Sequence, residues 1–257
     1  MMNATISGWR TAGLAGAALV LAFVPVRPAF AQAPQPAARS AAVTTSRPDF
    51  NGVWRTINAP AASREGSSLR WLPAPGELPP FTPEYEARYR KVQTSRESGS
   101  EDTEPVTRCL PPGMPYFTLA QYGLEVVQSR DKVVFFSEWM DAYRRVYMDG
   151  RKPADDLDPS YFGYSTGHWD GDTLVVETVR LRDDTVLDRY GSPHSDAMRI
   201  TERIRLSAPD VLEDAITVYD AKAFTKPWEI VRRYRRAARD NDELHENTCT
   251  EGLNRRK

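Results

Sequence analysis

Charged side chains set in the middle of apolar strand faces have the most chemistry to offer in this chain. Side chains alternate along a strand with period two. In 198–206 one face reads Met198, Ile200, Glu202, Ile204, Leu206 and the other Arg199, Thr201, Arg203, Arg205. Glu202 stands at the centre of the apolar set. In 228–234, Arg232 stands in the same way among Trp228, Ile230 and Tyr234. In 134–140, Glu138 lies in phase with Val134, Phe136 and Met140, and in 212–220 Asp214 and Asp220 share a face with Leu212, Ile216 and Val218. A charge in an apolar layer is costly unless it is paired or solvated. An ion pair between Glu202 and Arg232 satisfies the pattern, and so does a wet interior that holds a ligand. Structural pairing is the commoner explanation for any single residue. The four faces together favour a cavity with polar groups.

Three other groups carry candidate chemistry. His194 follows the turn Gly191-Ser192-Pro193 and precedes a strand. Its ordinary pKa near working pH makes it a candidate proton carrier, with Asp188 or Glu202 as carboxylate partner. A turn histidine bonded to the backbone is the competing explanation. Ser195, His194 and Asp196 do not make a triad, because adjacent strand residues point opposite ways, and no G-x-S-x-G is present. In 220–230, Asp220, Lys222 and Lys226 flank Phe224 and Trp228 in a connection between strands, where ligand contacts concentrate. Tyr143, Arg145 and Tyr147 alternate on one strand face, and with Tyr164 they suit an aromatic or anionic ligand. Asp170-Gly171-Asp172 is fully explained as a hairpin turn.

The elements that must position these residues are short strands divided by turns. From Gly123 onward, 124–129, 132–140, 143–150, 164–169, 173–181, 198–207, 211–220, 228–236 and 243–248 read as strands. The Asp-Gly between 164–169 and 173–181 is the strongest hairpin signal. Thr82-Pro83-Glu84 begins a short helix to about residue 94, with Thr82 at the N-cap and Pro83 at the first helical position. Residues 57–81 are Pro-rich and irregular, and 108–117 is a Pro-studded loop. Many local strands with almost no helix predict an all-β antiparallel meander that closes into a barrel of about eight or more strands.

The N-terminus is expected to direct export. Arg10 precedes the uncharged stretch Thr11 to Val24, too short to span a bilayer, and Ala29-Phe30-Ala31 offers a cleavage site. The expected organisation is a signal peptide at 1–31, a disordered Ala/Pro leader at 32–48 and one domain at 49–257. Removing the signal takes away two arginines and no acid, moving the net charge from -1 to -3. That balance excludes a basic nucleic-acid footprint. Cys109 and Cys249 are the only cysteines and are expected to pair in an oxidising compartment. His168, His194 and His245 show no metal-ligand spacing, so no metal is expected. No cofactor signature is present, and no stable membrane insertion is expected after cleavage.

The segments STGHWDGDTLVVET, LDRYGSPHSDAMRITERIR and DAKAFTKPWEIVRRY, with DFNGVW at 49–54 and RCLPPGMP at 108–115, resemble a family of secreted bacterial proteins without an assigned mechanism. Relatives carry His-Pro-His where this chain has Ser192-Pro193-His194, and Gly-Phe-Asn where it has Arg180-Leu181-Arg182. The resemblance therefore brings no two-histidine metal centre with it. Gly52-Val53-Trp54 is similar to the G-x-W opening of lipocalin-like barrels, in which an arginine from a late strand packs on the tryptophan. That resemblance implies a lipocalin-like barrel, with Arg232 or Arg233 over Trp54.

The function expected from these readings is binding of a small, partly apolar or aromatic molecule in the barrel cup of a periplasmic or secreted protein. Trp228, Tyr143, Tyr147 and Tyr164 would supply contact area, and Arg145 or Arg232 a polar anchor. The alternative is a cofactor-independent acid–base enzyme (a lyase, isomerase or hydrolase) that uses His194 with Glu202 or Asp188.

Overall fold

A computed structural model describes residues 47–57, 79–99 and 109–248. The expected signal peptide, residues 32–46 of the expected leader and Cys249 lie outside the described residues. Nine strands form a closed barrel in sequence order: β1 (Gly52–Thr56), β2 (Leu124–Gln128), β3 (Lys132–Ser137), β4 (Tyr143–Tyr147), β5 (Tyr164–Asp170), β6 (Thr173–Val179), β7 (Arg199–Ala208), β8 (Val211–Tyr219) and β9 (Trp228–Arg236), with β9 returning to β1. The fold is the closed barrel of eight or more strands expected from the turn pattern. Eight joints are antiparallel. The joint between β4 and β5 is parallel, and it pairs only Val146 with Ser165 and Tyr147 with Thr166.

That joint departs from a pure meander for a reason visible in the chain. Tight turns join antiparallel neighbours, as Asp170-Gly171-Asp172 joins β5 to β6 with Gly171 at φ 57°. Residues 148–163 are long enough to carry the chain back along the barrel, and a parallel neighbour needs such a crossover. Gly163 ends the crossover at φ 63°, where an added Cβ would lie 2.5 Å from the Val179 carbonyl oxygen. Gly167 lets β5 approach β4, since a Cβ there would meet Val146 and Met148 at 2.8 Å.

The long connections gather at one end of the barrel and the tight turns at the other. Helix α1 (Pro83–Glu97) lies over the long-connection end. Gln93 and Arg96 donate to the Tyr190 and Arg189 carbonyls at 2.7 Å, and Phe81 bridges to Phe224. Thr82 is the N-cap by position, yet its hydroxyl donates to the Lys222 carbonyl at 3.1 Å and makes no cap bond. A second helix, α2 (Tyr116–Leu119), enters the barrel from this end with all four residues buried. The sequence reading had one helix only; α2 is too short to show a helical period.

Three further expectations are corrected. On β3 the inward residues are Val133, Phe135 and Ser137, so Val134 and Phe136 face outward and Glu138 leaves the wall to pair with Arg55. Residues 243–248 form no strand, because the barrel closes from β9 onto β1. The arginine over Trp54 is Arg236, with Cζ 4.2 Å from the ring. Arg236 also donates to the carbonyls of Asn51 and Asp49, locking the start of β1 to the end of β9.

Candidate functional site

Strand alternation places Glu202, Asp214 and Arg232 inside the barrel, each at most 3% exposed, as the sequence implied. Their partners differ from expectation. Glu202 pairs with Arg144 of β4, not with Arg232. Arg144 donates from Nη1 to Glu202 Oε1 at 2.8 Å and from Nη2 to Glu202 Oε2, the planar fork matching the carboxylate. Its Nε donates to Ser165 Oγ at 3.1 Å and Nη2 also to Thr178 Oγ1 at 2.8 Å, and the two hydroxyls lie 2.9 Å apart. Asp214 adjoins Glu202. Burial first, then the Glu202 charge, push the Asp214 carboxyl well above the ordinary carboxylate range.

Arg232 serves a different purpose. Its Nη2 donates to the Ala120 carbonyl at 2.6 Å, and Tyr234 Oη donates to the Thr118 carbonyl at 2.7 Å. Two β9 residues thus hold the segment around α2 inside the barrel. Phe117 and Thr118 pack over Arg144, Glu202 and Asp214, and the cavity between them is about 10 Å³. That is about the space of one water. At this level the protein's own chain fills the expected ligand cup.

The histidine constellation is not assembled. His194 is 3% exposed. Its Nδ1 lies 3.1 Å from the Ser195 carbonyl oxygen, which only accepts, so Nδ1 carries the hydrogen. Nε2 then accepts from the Thr185 hydroxyl at 2.8 Å. Burial lowers the His194 pKa from its ordinary value. Asp188 accepts instead from the backbone N–H groups of Tyr190 and Ser192, and closes the turn before His194. Burial raises its carboxyl pKa, against those hydrogen bonds. Neither Asp188 nor Glu202 bonds the histidine.

The 220–228 connection is also built for structure. Asp220 accepts from Ser195 N and Oγ at 2.7 Å, and from the backbone of Lys222 and Ala223. Trp228 is buried edge-on to Phe224 at 6.3 Å, and Lys226 is exposed. No cluster of three metal-ligating side chains occurs among the described residues, and no helix among them is long and apolar enough to cross a membrane.

The remaining four candidates converge. Tyr143, Arg145, Tyr147 and Tyr164 line one open cleft of about 430 Å³ on the barrel wall, at the parallel β4–β5 joint. The rings of Tyr147 and Tyr164 stack across the joint, with centroids 5.2 Å apart and planes at 28°. Arg145 lies 4.9 Å over the Tyr143 ring and donates to its hydroxyl at 2.8 Å. Phe162, Met140 and Pro111 add apolar surface, and the buried pair Arg144 and Ser165 borders the cleft toward the interior. Four non-glycine residues among those described have positive φ: Cys109, Met140, Asp141 and Arg180. The first three all border this cleft. Such conformations cost about 1–3 kcal/mol each and gather at functional sites.

Arg144 and Asp141 were missed in the sequence. For Arg144 a signal exists: Ala142, Arg144, Val146 and Met148 are an apolar alternation broken by one charge, the pattern that identified Glu202. The tyrosines occupy the opposite face of the same strand.

No protein-family model matches the chain, and no curated protein does. Solved structures similar to it include two of one protein. The fluorescent protein UnaG, wild type, is 16% identical over 73% of this chain and 97% of its own, with a TM-score of 0.33. A point mutant of the same protein is 15% identical over 74% and 96%, with a TM-score of 0.33.

Proposed function

We propose that the protein is exported and binds a small, partly aromatic molecule in the wall cleft at the β4–β5 joint. The observation that carries this reading is the cleft itself: about 430 Å³, walled by tyrosines, with an arginine at its rim. Ligand sites of small molecules fall in that volume range and combine aromatic walls with a few polar anchors. The wall is favoured over the interior because the cavity beside Arg144, Glu202 and Asp214 is only about 10 Å³. Export rests on the signal-like segment 1–31, and a Cys109–Cys249 disulfide accompanies it. Binding is favoured over acid–base catalysis because both His194 nitrogens are engaged and its proposed carboxylates bond elsewhere.

Native mass spectrometry of protein purified from its own periplasm tests the reading. The expected result is a retained adduct that is lost when Tyr147→Ala and Tyr164→Ala are combined. An adduct unaffected by that pair of substitutions, or ligand-free protein under gentle isolation, would overturn it.

A further inference from the structure

We infer that the ligand of the cleft is a small aromatic zwitterion, carrying one ammonium, one carboxylate and one ring. This rests on the cleft being the binding site. Elsewhere on the wall, among the described residues, some charges are paired and others, such as Glu177, Arg199 and Glu229, are not. Arg203 pairs with Asp170, Arg235 with Asp210, Lys222 with Asp196, and Glu213 with both Arg205 and Arg233. Asp141 and Arg145 both line the cleft, and among the described residues neither forms an ion pair, with the other or with any third residue. The one hydrogen bond of the Arg145 side chain goes to the neutral Tyr143 hydroxyl, so most of its five donors face outward from the protein.

The backbone shows that Asp141 is held where it stands. Met140 and Asp141 are consecutive, and both adopt left-handed φ values, 62° and 49°. Their position is fixed from outside the turn by the Met140 N–H, which donates to the Asn247 carbonyl at 3.0 Å. A carboxylate set at one point of an aromatic-walled cleft selects a cation, and an unpaired guanidinium at another selects a carboxylate. Tyr164 and Phe162 supply aromatic surface for the ligand ring, while Tyr147 stacks on Tyr164 and carries the Arg151 guanidinium 4.5 Å over its ring. A purely anionic ligand would meet Asp141, and a purely cationic one would meet Arg145, each a like charge that disfavours it.

Three probes that differ by one group each test this: L-tryptophan, tryptamine and indole-3-propionate, titrated by calorimetry into the mature protein. Tryptophan should bind roughly tenfold or more tighter than either analogue, the discrimination expected of one charge-assisted contact. Asp141→Asn should collapse the ratio of tryptophan to indole-3-propionate to about one. Asparagine tolerates the left-handed conformation, so the turn is kept. Arg145→Met should collapse the ratio of tryptophan to tryptamine in the same way. Melting temperatures of both variants establish that the barrel is intact. If indole-3-propionate or tryptamine binds the unaltered protein as tightly as tryptophan, the zwitterion is overturned and the cleft stands as a site for a singly charged ligand. If none of the three binds while a native adduct is retained and depends on Tyr147 and Tyr164, the ligand class is wrong and the site is right. If no adduct is retained either, both fail.

Discussion

An arginine that is 3% exposed has surrendered its hydration shell, and Arg144 replaces it with Glu202, Ser165 and Thr178. The pair is held together by the same low-polarity surroundings that make either partner costly alone. Glu202→Gln should therefore destabilise the protein by about 3–5 kcal/mol, read as a loss of denaturation midpoint. Replacing both residues with apolar ones of similar size should recover much of it, and equal losses in the single and double variants would refute the coupling. Asp214 next to this pair makes stability depend on pH. Its folded-state pKa lies above the ordinary value, so the stability linked to its proton is complete below the carboxylate range and is lost as pH rises through the folded value. Asp214→Asn imitates the protonated form and should make that limb of the stability–pH curve shallower, leaving the share of Asp188, whose carboxyl burial also raises; an unchanged limb would reject the assignment. His194 has the opposite sign. Its pKa is lowered by burial, so its contribution is complete above the ordinary histidine value of about 6.5 and falls as pH drops below it.

The β4–β5 joint is the element that decides where the cleft lies, and Gly163 is its tightest point. Gly163→Ala adds a left-handed alanine, costing about 1–2 kcal/mol, and a Cβ against the Val179 carbonyl. A melting temperature lowered by several degrees is expected, and an unchanged one would mean that the crossover relaxes freely. Strand existence was legible in the sequence because Asp-Gly and Pro-Asp turns cut it into pieces, as between β5 and β6 and between β7 and β8. The face of β3 was not. Val133, Val134, Phe135 and Phe136 are apolar in both phases, so alternation cannot choose between them. The neighbour chooses: Phe135 is opposite Arg144, on the inner face they share. The cleft was half legible for a related reason. Its tyrosines sit on one strand face, but Asp141 and the approach of β5 depend on a joint between segments distant in the chain.

For the whole molecule, export and covalent closure are the expectations open to direct measurement. Thiol titration of exported, denatured, non-reduced protein should find no free thiol, and the mature chain should begin at or near Gln32. Two free thiols would reject the Cys109–Cys249 bridge, and a mature chain that keeps Leu14 to Val24 would reject the cleavage. The barrel also differs as a whole from the cup that was anticipated. Arg232 and Tyr234 anchor the segment around α2 within it, so the space beside Arg144 and Glu202 serves as core. The one parallel joint has a cause more general than any residue. A ring whose neighbours all run in opposite directions needs an even number of members, as a two-colour pattern closes only on an even loop. This ring has nine. It is frustrated in the sense of an odd ring of opposed magnets: one link must be violated, and the lowest number of violations is the number observed. The cleft is then a topological defect. Point substitutions can reshape or fill it, but the mismatch that opens it persists until the barrel gains or loses a strand.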